Sequence, residues 1–419
     1  MISVHTCPLA TLGGKKTGGM NVYVRDLSRE FSRQGIKVDV FTRSQNPCAP
    51  HVNDSLAANA RVIHVPAGPE APLDTNAIYP HLPQFVEHVL EYTAQNHITY
   101  DVMFSHYWLS GWVAHELRTA WHVPVAQMFH TLGHMKKRIA REKPDARHDI
   151  RIQTEQDIMS WADALITATP AERAQILWLY QADRRKIHIV PPGVDLTHFQ
   201  PMDRTHAKEV IGIPPHHKML LFVGRIEPLK GVDTLLYAIA QIRKEKPALC
   251  DNLCISIIGG DPDALAPGNV EMKRLQELRV ALGLHDLVTF QGAKDQDRLR
   301  YYYNAAEALI MPSDYESFGM VALEAMACGT PVIASEVGGL AYLIRDGQNG
   351  FHVPVREPEA LAARIVSILE HPEKRAAMSR EALQSTKEYA WPLIAKRLLA
   401  VFEMLPAPSA DVASALPSV

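Results

Sequence analysis

The chain has 419 residues, 47% hydrophobic and 21% charged, an ordinary globular composition long enough for two domains, each with its own core. A formal net charge of −3 argues against a nucleic-acid binder, which needs an excess of cations to meet phosphates along a groove. Cysteines at 7, 48, 250, 254 and 328 match neither a disulfide framework nor a zinc or C-x-x-C site, which points to reduced thiols and a cytoplasmic setting.

The chain opens on the apolar stretch Ile2-Ser3-Val4-His5, read as a strand. No charged segment precedes an apolar one and no apolar run approaches a membrane span, so no signal peptide, transit peptide or integral membrane segment is expected. Gly18-Gly19-Met20-Asn21 then opens a helix, where paired glycines let the backbone approach a phosphate, although Gly-rich turns are also common without a ligand. Gly13-Gly14-Lys15-Lys16-Thr17 lacks the spacing of a Walker loop. Short β-branched runs follow at 37–42, 61–65, 101–104, 123–128, 164–167, 220–223 and 255–258, alternating with helical patterns. That alternation predicts an α/β chain of doubly wound parallel sheets. Pro191-Pro192 marks the boundary, because paired prolines stop a strand and cannot continue a helix. The expected organisation is a domain over 1–190, a second over 191–388, a last helix over 389–405 and a disordered tail over 406–419.

Several phrases carry possible chemistry. His130-Thr131-Leu132-Gly133-His134 follows a strand, but lacks the glutamate of a zinc-protease motif. From Lys136 to Arg151, Lys136, Lys137, Arg138, Arg141, Lys143, Arg147 and Arg151 outnumber Glu142, Asp145 and Asp149. Most of these charges read as a solvated loop, yet a cationic rim there suits an anionic acceptor. Arg225 and Lys230 flank the loop after the 220–223 strand, and strand ends are where open α/β sheets bind ligands. Asp261-Pro262-Asp263 reads as a turn rather than a metal site. In Glu316-Ser317-Phe318-Gly319-Met320-Val321-Ala322-Leu323-Glu324, residues 317–319 start a short helix that Gly329-Thr330-Pro331 stops. Backbone N–H groups from Phe318 to Val321 would form an anion site, with Glu316 before it and Glu324 roughly 12 Å further along the axis. One carboxylate on either side of a diphosphate suits a nucleotide sugar.

The Glu316-to-Glu324 phrase resembles the E-x7-E signature of retaining glycosyltransferases of the GT-B fold, family 4, and the likeness extends over about residues 2 to 404. It implies two Rossmann-like domains facing a cleft, with the last helix crossing back to the first. A UDP-sugar would bridge both domains, with the acceptor mainly on the first. For the donor, the resemblance implies Gly19 and an R-x4-K clamp of Arg225 and Lys230 at the diphosphate, with the backbone of Phe318, Gly319, Met320 and Val321. It implies Glu324 at the ribose, Glu316 at the transferred sugar and Lys294 near the uracil. His130 would stand beside the donor sugar, making His130, Glu316, Arg225 and Lys230 the catalytic set. Asn21, Tyr107, Thr131, Lys136 and Arg151 would meet a phosphorylated acceptor.

No cofactor is expected, Mg²⁺ being at most modulatory. Retention would follow from front-face displacement, in which the leaving phosphate takes the acceptor's proton. His130-Thr131-Leu132-Gly133 with Lys136 leans toward sucrose-phosphate synthases, which use UDP-glucose and fructose 6-phosphate. Gly19-Met20-Asn21, residues 105–111 and Glu316-Ser317-Phe318-Gly319 lean instead toward the inositol-phosphate N-acetylglucosaminyltransferase of mycothiol synthesis. The sucrose-phosphate reading is preferred. A UDP-sugar epimerase is the rival from another class, but it would leave Tyr107, Thr131 and Arg151 unexplained.

Overall fold

The computed structural model describes residues 1–10, 18–139, 147–262 and 269–407. Those residues divide into two compact units, one of the described residues within 1–10, 20–191 and 392–407, the other of those within 18–19 and 192–391.

Among the described residues, the first unit holds β1 (Val38–Arg43), β2 (Val52–Ala57), β3 (Ala60–Val65), β4 (Met103–His106), β5 (Val125–Met128), β6 (Ala164–Thr167) and β7 (Ile187–Ile189). They form the ladders β1-β3-β2 and β4-β5-β6-β7. The opening stretch is not a full strand. Ile2 makes single parallel bridges to Phe41 of β1 and Ser105 of β4, and so joins the two ladders. β2 departs from the expected parallel sheet: it pairs antiparallel with β3, and its polar Asp54 and Ser55 suit an exposed edge. Chain order therefore reverses between the Ile2 segment and β4, the switch point where such sheets place their ligands. β4, β5 and β6 are buried at every position, as expected of parallel strands covered on both faces. From Pro392 onward the helix Trp391–Phe402 belongs to this unit, where the Phe402 ring packs against Phe31 and Phe104.

The second unit is one parallel sheet of β8 (Lys218–Val223), β9 (Leu253–Ile258), β10 (Val288–Gly292), β11 (Ala306–Met311), β12 (Val332–Ser335) and β13 (Gly350–Val353). Its order is β10-β9-β8-β11-β12-β13, which sets the switch point between β8 and β11. The helix Val232–Glu245 shows how its layers form: Val232, Leu235, Leu236, Ile239 and Ile242 bury one face at helical spacing, and Arg243 and Lys244 close the last turn.

Candidate active site

In the second unit, the loops after β8 and β11 lie on either side of the switch point and are stitched together. Asp314 N donates to Leu229 O at 2.8 Å. Gly231 has a φ of 65°, and a Cβ there would stand 2.0 Å from Pro312 O. This seating brings Lys230 Nζ to 2.6 Å from Glu316 Oε2, in a pair whose side chains are only 16% and 15% exposed. Arg225 does not join it. Its guanidinium turns outward to Glu227 at 2.6 Å, so the two cations expected to act as one clamp are separately paired here.

The helix Met320–Ala327 starts after Gly319, whose φ of 103° suits only glycine and which has no side chain to cap the first N–H groups. Those of Met320 and Val321 keep the polarity that draws an anion. Glu324, one face further on, is 5% exposed and accepts from Tyr303 Oη at 2.7 Å and Gln296 Nε2 at 2.9 Å. Gly338 and Gly339 press backbone to backbone on the glutamate loop: a Cβ on Gly338 would meet Glu316 O at 1.7 Å, and one on Gly339 would meet Phe318 Cα at 2.2 Å. Lys294 Nζ donates to Gln291 O at 2.8 Å beside the end of β10. The Asp261-Pro262 backbone is held by Asn269 and Gln276, while Asp263 lies outside the described residues.

In the first unit the strand ends at the switch point carry the remaining residues. The helix Gly19–Arg33 belongs to this unit from Met20 onward, its first residue Gly19 being grouped with the second unit. The Asn21 amide donates to Thr6 Oγ1 and to Cys7 O, tying that helix to the segment after Ile2. His106 ends β4, and Tyr107 follows with a φ of 77° and its ring 4.4 Å from that of His5. His130 has a φ of 61° in a tight turn closed by Thr131 N donating to Phe129 O at 2.7 Å. Left-handed backbone at such residues costs about 1–3 kcal/mol and clusters at functional sites. His130 Nε2 lies 3.1 Å from His106 Nδ1. Burial pushes His130 down to about 3, and burial followed by the neighbouring His130 takes His106 well below its ordinary value, so both rings are neutral near pH 7.

Arg151, set apart from the solvated part of that cationic run by the family resemblance, is only 6% exposed on the helix Arg147–Trp161. Its Nε donates to Glu155 at 2.6 Å, Nη1 to Tyr107 Oη at 2.9 Å, and Nη2 to Thr131 O at 2.5 Å and Thr131 Oγ1 at 3.2 Å. Tyr107, Thr131 and Arg151, far apart in sequence, are thus brought together. Burial alone would lower Arg151, but the Glu155 carboxylate outweighs it and holds the guanidinium above its ordinary value. Glu155 is also bonded by Gly133 N at 2.8 Å and by the Tyr180 hydroxyl, so the carboxylate behind the His130 phrase is engaged within the protein. Lys136 and Arg138 are exposed on the helix Gly133–Ile139. Arg141, Glu142, Lys143 and Asp145, and the side chains of Arg147 and Asp149, lie outside the described residues.

Comparison with known proteins decides the family. Residues 17–198 match the family described as Glycosyltransferase Family 4, and residues 203–385 match Glycosyl transferases group 1. The D-inositol 3-phosphate glycosyltransferase 2 of Catenulispora acidiphila is 38% identical over 93% of this chain and 91% of its own. The D-inositol 3-phosphate glycosyltransferase of Geodermatophilus obscurus is 39% identical over 96% and 88%. The chain belongs to the family 4 glycosyltransferases. Among solved structures, a sucrose-phosphate synthase from Thermosynechococcus elongatus superposes with a TM-score of 0.87 at 34% identity over 96% of this chain and 97% of that one, which establishes the GT-B fold.

Several residues that shape the transferase's sites escape a reading of its sequence. Glu155 stands four residues after Arg151, and that helical spacing was the available signal. Tyr303 and Gln296 come from another helix, Gln296–Ala305, and leave no local mark. Gly338-Gly339 follows β12 as a strand-end glycine pair, a cue of the same kind as Gly18-Gly19.

Proposed function

We propose that this transferase moves a hexosyl group, with retention of configuration, from a UDP-sugar to a small phosphorylated polyol. The observation that carries the reading is how Arg151 bonds Tyr107 and Thr131. A guanidinium can only donate. By donating to Tyr107 Oη and Thr131 Oγ1, Arg151 leaves each hydroxyl its own hydrogen to give. Two such donors beside a cation suit a group that can only accept, and a phosphate is that group. On the donor side, Lys230, Glu316, Glu324 and the uncapped helix start support a diphosphate flanked by a sugar and a ribose. The acceptor hydroxyl oxygen bonds to the anomeric carbon as that carbon's bond to the diphosphate breaks, and the hydroxyl proton passes to the departing phosphate oxygen. Lys230, Arg225 and the helix start stabilise the charge that grows on UDP, so the reaction needs no divalent ion.

The names of relatives at 38% and 39% identity favour inositol 3-phosphate as the acceptor to test first. His130-Thr131-Leu132-Gly133 with Lys136, and the synthase at 34% identity, keep fructose 6-phosphate as the second. The test is a matrix of UDP- and GDP-sugars against inositol 3-phosphate, fructose 6-phosphate and both unphosphorylated compounds, followed by UDP release. Release only with a phosphorylated acceptor is expected. Equal use of the unphosphorylated compounds would remove the phosphate reading, and acceptor-independent turnover of the donor would remove transfer.

A further inference from the structure

We infer that His106 is a positioning residue that fixes which nitrogen of His130 carries the proton. The inference rests on the reading of His130 as the histidine beside the transferred sugar. His106 is the last residue of β4, and its backbone N donates to Ile2 O at 3.0 Å. Its ring is held from two sides, by Phe104 at 4.2 Å and by the Tyr23 ring at 5.6 Å, and the residue is fully buried. His130 is the less enclosed of the two, with Tyr23 edge-on at 5.2 Å.

The single hydrogen between His106 Nδ1 and His130 Nε2 can belong to either ring. If His130 donated it, the neutral His106 would carry its own proton on Nε2. That atom is buried and has no hydrogen-bond partner among the described residues. An orphaned buried N–H is among the rarest features of folded proteins, and a bare nitrogen lone pair is the lesser penalty. The hydrogen therefore sits on His106 Nδ1 and points at His130 Nε2. His130 is left with its own proton on Nδ1, a fixed donor on the less buried ring. A donor of settled polarity suits a sugar hydroxyl or ring oxygen, and the hydrogen bond from His106 keeps the imidazole from rotating away.

The chain labelled with ¹⁵N-histidine answers the question directly, since long-range ¹H–¹⁵N spectra distinguish the two neutral tautomers. His106 and His130 signals are assigned by the loss of one set in each single variant. His130 protonated on Nδ1 is the expected result, and His130 protonated on Nε2 in the wild-type protein overturns the inference. Three substitutions then separate positioning from packing. His106→Asn sets an amide N–H near the place of Nδ1 and should keep turnover within a few-fold of wild type. His106→Gln carries its amide one methylene further, near the place of Nε2, and His106→Phe keeps the ring without a donor. Both should lose turnover roughly tenfold or more, the scale of one hydrogen bond at the reaction centre, with UDP affinity unchanged. Equal loss in all three variants would reduce His106 to a packing residue. If the transferase reading itself were wrong, no donor–acceptor pair would turn over even in wild type, while the tautomer spectrum would still decide the role of His106.

Discussion

Replacing Lys230 by Ala removes one member of a pair held at 2.6 Å with both side chains about five-sixths buried. At an effective dielectric near 20, unit charges at that separation attract by about 6 kcal/mol, most of which offsets their desolvation. Stripping one partner leaves Glu316 buried with no countercharge, a loss of ~3 kcal/mol for a pair that still touches water. The melting temperature should therefore fall. Adding Glu316→Gln to Lys230→Ala should recover part of that loss, since the orphaned charge disappears. Catalysis should behave otherwise. If Lys230 also faces the departing diphosphate, turnover at saturating donor drops roughly a hundredfold or more, and the second substitution does not restore it. Thermal unfolding and acceptor-dependent UDP release, measured on the two single variants and the double, give both coupling energies. Turnover of Lys230→Ala close to wild type at saturating donor would refute the catalytic half. A double variant no more stable than Lys230→Ala would refute the pairing.

Arg151→Ala should cost about 3–5 kcal/mol by stranding Glu155, so the cleaner test is Arg151→Met with Glu155→Gln, which should fold yet lose most of the preference for a phosphorylated acceptor over its free form in UDP-release assays. Glu324→Gln should weaken binding of UDP itself by calorimetric titration, whereas Glu316→Gln should leave UDP affinity intact and damage transfer; equal weakening would contradict that division. Burial raises the Glu172 carboxyl from 4.5 to about 7, so the folded state keeps a proton the unfolded chain has lost, and the stability Glu172 contributes below about pH 4.5 is lost as pH rises through 7. Glu172→Gln, whose amide oxygen can still accept from Ala168 N, should be more stable than wild type by a few kcal/mol near pH 8 in denaturant titrations and equal to it near pH 4. Transfer should persist in EDTA; activity abolished by chelation and restored by a metal would reveal a missed ion site.

What the sequence discloses of this fold depends on how local the cause is. Strands such as 218–223 and 253–258 announce themselves because both faces are buried and every position can be apolar. β2 does not, because its edge position lets Asn53, Asp54 and Ser55 stand where a core strand would hold valine. The Ile2 segment looks like a strand and is extended, but its ladders amount to single bridges. The two glutamates are readable from their spacing in the sequence, although only Glu324 lies on the helix Met320–Ala327 and Glu316 stands on the loop before it. Arg225 and Lys230 are picked out by the family resemblance, whereas their partners in the structure, Glu227 and Glu316, follow from side-chain directions that sequence spacing does not give. Arg151 is grouped with Tyr107 and Thr131 by the family resemblance, within a run whose other charges mostly read as solvated, and only the packing of the helix Arg147–Trp161 shows it buried. Position 106 gave no sign at all: one buried histidine facing another is a fact about β4 and β5 lying side by side.

The glycine contacts around the second unit's strand ends have a consequence for anyone wishing to change what this protein accepts. Gly231 against Pro312, Gly338 against Glu316 and Gly339 against Phe318 leave no space for even a methyl group, and a Cβ on Gly259 would lie 1.8 Å from Gly224 O. The opposing atoms are backbone and cannot step aside. A randomised library that includes these four positions would be filled with misfolded members, whatever their merit at the donor. The freedom to evolve a new donor preference is thus confined to side chains set on a floor that must stay bare.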